Sequence, residues 1–274
     1  MPPAGWQNSF LHDFRRMVEP DGDVVALVLF GSLAAEPGYA DTWSDIDVVL
    51  VVRRGTAGRF FPSATWLRPF GAIWTCQAIS KEHTSVLLVC FEDGRRLDVV
   101  IFEDHGALEI PSWKDNPFHG PTRVLFSRSE SVDAAIVSAP AGIPLRGFSD
   151  DDLAAMSDAF WFGAQVAVRK LVRGDLLIAS HLALGLIRDC LVLEMLLRDG
   201  AAGTSYHPRG APTDVAALEA ASHALHPLTR EGVLEMISAS AGRFDALASR
   251  SPAYVAKAAP LLAMVASART TMER

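Results

Sequence analysis

Two aspartates one residue apart, Asp45 and Asp47, lead into the apolar run Ile46-Asp47-Val48-Val49-Leu50. In an extended strand, residues i and i+2 project from the same face, so these carboxylates stand side by side. Adjacent carboxylates repel unless a cation lies between them. Hard oxygens in that arrangement suit Mg²⁺, which keeps some water and fills its shell with substrate phosphates. Upstream, a second apolar run ends on Gly31-Ser32. Glycine lets the backbone approach a phosphate closely, and free amides beside a hydroxyl bind its oxygens. Ser44, next to the first aspartate, is placed to order the turn and joins Gly31 and Ser32 as a candidate nucleotide-binding residue.

A third acid is expected from another strand. Asp98 is the candidate, alone in the apolar segment Leu97-Asp98-Val99-Val100-Ile101, with Asp93, Glu103 and Asp104 as alternatives. A buried carboxylate there needs a partner or a metal. It would serve as third ligand, as base for an attacking hydroxyl, or as both. Lys170 and Arg173 lie three apart and share a helix face. They suit either the C-terminal end of their own helix or a triphosphate. Asp175, Asp189 and Glu194 read as caps and ion-pair partners of Arg188 and Arg198, or as contacts for a cationic acceptor. His181 reads as a core histidine, and Trp66, Trp74, Trp113 and Trp161 read as core aromatics.

The elements that must position these groups are legible as two textures. Up to 142–148 the chain is rich in short β-type runs, at 24–30, 46–52, 86–91, 97–102 and 123–127. The Asp93-Gly94 pair predicts a type I′ hairpin between the third and fourth. A first helix is expected over 9–17 with Ser9 as cap. Beyond 148 the pattern turns helical. Ser149 followed by three aspartates starts a helix to about 172, and Gly174-Asp175 separates it from the next, which ends at Gly200. That second helix is apolar nearly all round and belongs inside a bundle or in a subunit interface, so a homodimer is the assembly it would suit. A Gly- and Pro-rich loop over 201–212 follows, then helices over 214–225, 229–249 and 252–270.

Bulk properties narrow the function classes. At 274 residues the chain can bury a sizeable core in one or two domains. A net charge of −7 disfavours a duplex-binding or polymerase role, which needs a basic face, so no nucleic-acid partner is expected. The three cysteines, Cys76, Cys90 and Cys190, are scattered and form neither a disulfide framework nor a zinc motif, which points to a cytoplasmic home. Residues 1–11 lack the pattern of a secretory signal. No apolar stretch is expected to be long enough to cross a membrane, the longest being 24–35.

Gly31-Ser32, Asp45-Ile46-Asp47 and the later strand Asp98 together resemble the nucleotidyltransferase superfamily of the DNA polymerase beta type. The size and the helical second half look most like the aminoglycoside and lincosamide nucleotidyltransferases. The resemblance covers about 24–52 and 97–102 closely and 160–198 more loosely, where Arg169-Lys170 and Arg173-Gly174-Asp175 form a basic helix end. It does not extend to the last sixty or so residues. The Leu33–Ser44 loop is long and carries Glu36, Pro37 and Asp41, which departs from the family pattern. The resemblance implies an α/β (α+β) nucleotidyltransferase domain with a mixed sheet over 1–145. An all-α helical bundle over 146–274 would complete the substrate cleft. It implies Mg²⁺ on Asp45, Asp47 and Asp98, and ATP or another triphosphate on Gly31, Ser32, Ser44, Lys170 and Arg173. The expected reaction moves a nucleoside monophosphate to a hydroxyl of a small, cationic antibiotic-like molecule, with in-line release of pyrophosphate. The rival readings are a protein-modifying transferase of the toxin–antitoxin kind and a non-catalytic nucleotide-binding regulator. The ribonuclease motif often carried by the helical partner in such toxin systems, Arg-x(4–6)-His, is absent from the helical half, since Arg173 and His181 are too far apart.

Overall fold

Continuous apolar runs form the middle of a six-stranded sheet. The computed structural model describes residues 3, 5–35, 40–113, 116–118, 120–138, 146–202 and 213–272. In it, β1 (Val24–Phe30) and β2 (Ile46–Val52) are buried on both faces, as strands covered on both sides must be. They are joined by β3 (Ile73–Ser80), β4 (Ser85–Phe91), β5 (Arg96–Glu103) and β6 (Thr122–Ser127) in the order β3-β4-β5-β2-β1-β6. β2 and β5 run parallel and the other neighbours antiparallel, so the sheet is mixed.

Alternation along the strands sorts the side chains into two layers. Ile46, Val48 and Leu50 of β2 and Leu97 and Val99 of β5 pack with α1 (Trp6–Val18) through Trp6, Phe10 and Phe14. Val49 and Val51 and Phe102 face the other way. They meet Ala107 and Ile110 of the 3-10 segment Asp104–Ser112 and Val132 of α2 (Glu130–Ser138). By the same alternation, Asp47 and Asp98 belong to this second layer, at the end where both strands begin.

The chain divides into two compact units, Met1–Pro144 and Leu145–Arg274. The second is helical: α3 (Asp150–Val172), α4 (Leu176–Asp199), α5 (Thr213–Ala224), α6 (Arg230–Ala248) and α7 (Ala258–Met272). Ser149 caps α3 in a capping box with Asp152, whose carboxylate accepts from the Ser149 amide at 3.0 Å. Asp175 caps α4, and Gly200 ends it in the left-handed region. The order expected from sequence, a mixed sheet followed by helices, is the order the chain shows.

Several local expectations are corrected. α1 starts at Trp6, and Ser9 lies inside it, donating to the Trp6 carbonyl at 3.0 Å. The β4–β5 turn is not type I′, because only Gly94 has positive φ, at 87°. The Phe91 amide donates to the Arg95 carbonyl and the Gly94 amide to the Phe91 carbonyl, a three-residue loop in which glycine takes the left-handed position. α7 starts six residues later than expected, where Asp245 accepts from the amides of Lys257 at 3.0 Å and Ala258 at 2.9 Å. α4 is long and apolar enough to cross a membrane by length and composition, against the expectation that no stretch is. It packs on α3 and α6, and its Glu194 pairs with Arg243 and Arg250 of the same unit. Parts of the 142–148 break, the 201–212 loop and the 33–44 loop (including Glu36 and Pro37) lie outside the described residues.

Candidate active site

Asp47 and Asp98 are register partners across the parallel β2–β5 pair, so their side chains leave the sheet side by side. Asp45 precedes β2 by one residue and reaches the same place. One carboxylate oxygen from each acid lies within 4.8 Å of the other two, and all three residues are half-buried. Burial, and then the charges of Asp45 and Asp98, push the Asp47 carboxyl up to about 7, with Arg96 pulling the other way. Burial also raises Asp98, opposed by its hydrogen bonds from Arg96. Three hard oxygen donors this close, one of them held near neutrality by lost water and like charge, fit a small divalent cation.

Asp93 is engaged with Arg95, Glu103 accepts from the Gly55 amide, and Asp104 accepts from the Arg54 amide. The alternatives for the third acid are thus held elsewhere, and Asp98 is the one brought to Asp45 and Asp47.

Sequence reasoning passes over Arg96. Its Nε donates to Asp98 Oδ1 at 2.9 Å and its Nη2 to Oδ2 at 2.6 Å. Nη1 lies 3.5 Å from Asp45 Oδ2. The signal was available: residue 96 stands two before 98, hence on the same face of the strand.

Gly31 shapes the other side of the trio. Its φ is 72°, and a Cβ there would lie 2.5 Å from Asp47 Oδ2. Both facts demand glycine. The following Ser32 hydroxyl has no hydrogen-bond partner among the described residues. Ser44 is buried, and its hydroxyl accepts from the Asp41 amide at 2.9 Å and donates to the Asp41 carboxylate at 3.1 Å. Gln7 of α1 donates to the carbonyls of Asp41 and Ser44, which ties the approach to Asp45 onto the helix. Ser44 therefore orders the turn.

Lys170, Arg173 and the acids Asp175, Asp189 and Glu194 belong to the helical unit. Lys170 pairs with Asp175 at 3.4 Å, and Arg173 is the C-cap residue of α3. Asp189 pairs with Arg188, while Arg198 pairs with Asp199 and Asp214. His181 is exposed rather than in the core, and Trp74 is 75% exposed on the edge strand β3. Trp113 is buried as expected, stacked on His83.

A pH dependence follows for the metal-free protein. Asp47 binds its proton more tightly in the fold than in the unfolded chain. Its contribution to stability is therefore full below the ordinary carboxylate pKa and is lost as pH rises through 7. Between pH 5 and pH 8, in chelator, the melting temperature of the wild type should fall more steeply than that of Asp47→Asn. Parallel slopes in calorimetry would show that Asp47 is not desolvated in this way.

Residues 7–201 match the streptomycin adenylyltransferase family. No curated protein matches the sequence. Among solved structures, the chain is similar to an aminoglycoside 6-adenyltransferase from Bacillus subtilis, with a TM-score of 0.41 and 12% identity over 96% of this chain and 97% of that one. It is also similar to a nucleotidyltransferase-like protein from Exiguobacterium sibiricum, with a TM-score of 0.37 and 9% identity over 88% and 75% of the two chains. A third likeness is to the CD-NTase CdnG from Bradyrhizobium diazoefficiens in complex with GTP, with a TM-score of 0.25 and 14% identity over 97% and 84%. The family match spans well over half of the sequence and includes Gly31-Ser32 and all three aspartates, so the chain belongs to the streptomycin adenylyltransferase family and is a nucleotidyltransferase related to the antibiotic-modifying ones.

Proposed function

We propose that this protein transfers the adenylyl group of ATP to a hydroxyl of an aminoglycoside-type antibiotic, releasing pyrophosphate. The observation that carries the reading is the meeting of Asp45, Asp47 and Asp98 at one end of the sheet, beside a Gly-Ser turn. Family membership supports the adenylyl group and the acceptor class. The net charge of −7 accords with a cationic acceptor.

Asp45, Asp47 and Asp98 would hold Mg²⁺. When bound, that ion neutralises charge on the triphosphate and on the leaving pyrophosphate. Gly31 brings its backbone close to the carboxylates without a side chain in the way, and Ser32 offers its hydroxyl to phosphate oxygen. The acceptor oxygen bonds to the α-phosphorus as the α–β bridging bond breaks, and its proton passes to the Asp98 carboxylate. The fixed β2–β5 register positions these groups before substrate arrives. Lys170 has an ion-pair partner and Arg173 a capping place within their own unit.

The direct experiment measures pyrophosphate release and the mass of the product with ATP, Mg²⁺ and a panel of aminoglycosides, streptomycin first. Release that requires both an aminoglycoside and Mg²⁺, with an adenylyl mass on the antibiotic, supports the proposal. Release only with a lincosamide or a protein acceptor would replace the acceptor class. No release with any acceptor would sink the reading.

A further inference from the structure

Arg96 lies where a metal-binding trio leaves least room for a side-chain cation. Its guanidinium grips both oxygens of Asp98, at 2.9 and 2.6 Å, and reaches Asp45 Oδ2 at 3.5 Å. These are oxygens that a divalent ion on the trio needs. A guanidinium fork bound bidentate to a carboxylate uses up its best acceptor directions. An ion entering beside it would also face a full positive charge at a few ångströms. Both cannot hold Asp98 in this geometry.

The side chain is also free to leave. Arg96 is the first residue of β5, directly after the turn, and its side chain is 47% exposed. Its head can swing away without opening the core. Arginine suits phosphate for the same reason that it suits carboxylate, since its flat fork matches two oxygens at once.

We propose that Arg96 is a tethered cation that holds Asp45 and Asp98 in the ion-free protein, yields them to an incoming divalent ion, and then binds the triphosphate that arrives with that ion. The inference rests on the metal reading of the trio above. It makes ion and nucleotide binding mutually reinforcing: each removes an obstacle to the other, because ion entry frees the guanidinium and the phosphates give it a new partner. The ion alone binds weakly because it must displace the arginine. The same exchange takes the guanidinium off both oxygens of Asp98, so that the oxygen the ion does not hold is open to the acceptor's proton.

The test is calorimetric titration of the full chain with MgCl₂ alone, then with Mg²⁺ and an ATP analogue carrying a methylene bridge between the α- and β-phosphorus. The proteins are wild type, Arg96→Met, Arg96→Lys and Asp47→Asn. Arg96→Met should bind Mg²⁺ alone about tenfold more tightly than wild type and the Mg²⁺–analogue pair about tenfold more weakly. Arg96→Lys, which keeps the charge but not the fork, should fall between on both measures and stands in if the methionine variant does not fold. Mg²⁺ affinity within twofold of wild type in Arg96→Met, while Asp47→Asn abolishes it, overturns the inference and leaves the metal site standing. Tighter Mg²⁺ binding with unchanged analogue binding also overturns it, since loss of a charge without any hand-over accounts for that pattern. No Mg²⁺ binding in any protein removes the metal reading and the inference together.

Discussion

Asp47→Asn is expected to lower nucleotidyl transfer by about a thousandfold while raising the melting temperature of the metal-free protein at pH 8. The two effects have one cause. Asp47 sits on a central strand, paired on one side with Phe30 and on the other with Asp98, and it is half-buried beside two other carboxylates. A desolvated carboxylate beside two others costs stability in the absence of a cation. Asparagine keeps the shape and removes the charge, so it relieves the repulsion and removes the ligand in one step. Steady-state kinetics and calorimetry on the same preparation check both halves. Loss of activity together with a lower melting temperature would mean that Asp47 supports the fold rather than the chemistry.

Gly31→Ala is expected to cost about a hundredfold in activity, because small displacements of a reacting group are expensive. The new methyl carbon would lie 2.5 Å from Asp47 Oδ2, and the atom that must give way is the proposed ligand itself. The backbone adds its own penalty. A φ of 72° costs an L-residue with a side chain about 1–2 kcal/mol, which urea denaturation would resolve. The double variant Gly31→Ala/Asp47→Asn should lose little more activity than Asp47→Asn alone, since both changes act on one carboxylate. Additive losses would separate the turn from Asp47, and near-normal turnover in Gly31→Ala would show that the turn stands away from it in the working enzyme.

The parts of this fold that could be read from sequence are those where burial leaves a pattern. β1 and β2 are continuous apolar runs because both faces are covered, and their expected limits match the structure. Asp98 stood out because a lone acid in such a run needs a reason. β3 left no comparable trace. It is an edge strand, largely exposed on both faces, with Thr75, Gln77 and Ser80 diluting its apolar residues. Arg96 was hidden by its place next to a turn, where arginines are ordinarily solvated. Its spacing from Asp98 puts the two on one face of β5, and the pairing of β5 with β2 adds its reach to Asp45. Asp93-Gly94 marks the place of the hairpin but not its type, because Asp-Gly serves a three-residue loop as well as a two-residue one. In the helical unit, Ser149, Asp175 and Gly200 mark their helix ends because capping is local chemistry. α7 begins where Asp245, thirteen residues from Ala258, supplies the bonds, and nothing near residue 252 could reveal that.

The parallel join between β2 and β5 sets what this chain can tolerate as it diverges. The two strands are neighbours in space, yet residues 53–95 run between them. Length changes in the turns of that segment alter chain closure only slightly, since that cost grows with the logarithm of loop length. A single residue gained or lost within either strand is different in kind. It would shift the pairing by one step and turn Asp98 or Asp47 to the opposite layer, against α1. Insertions and deletions can therefore accumulate along β3 and its flanking turns, reshaping that edge, while 45–52 and 96–103 keep their lengths.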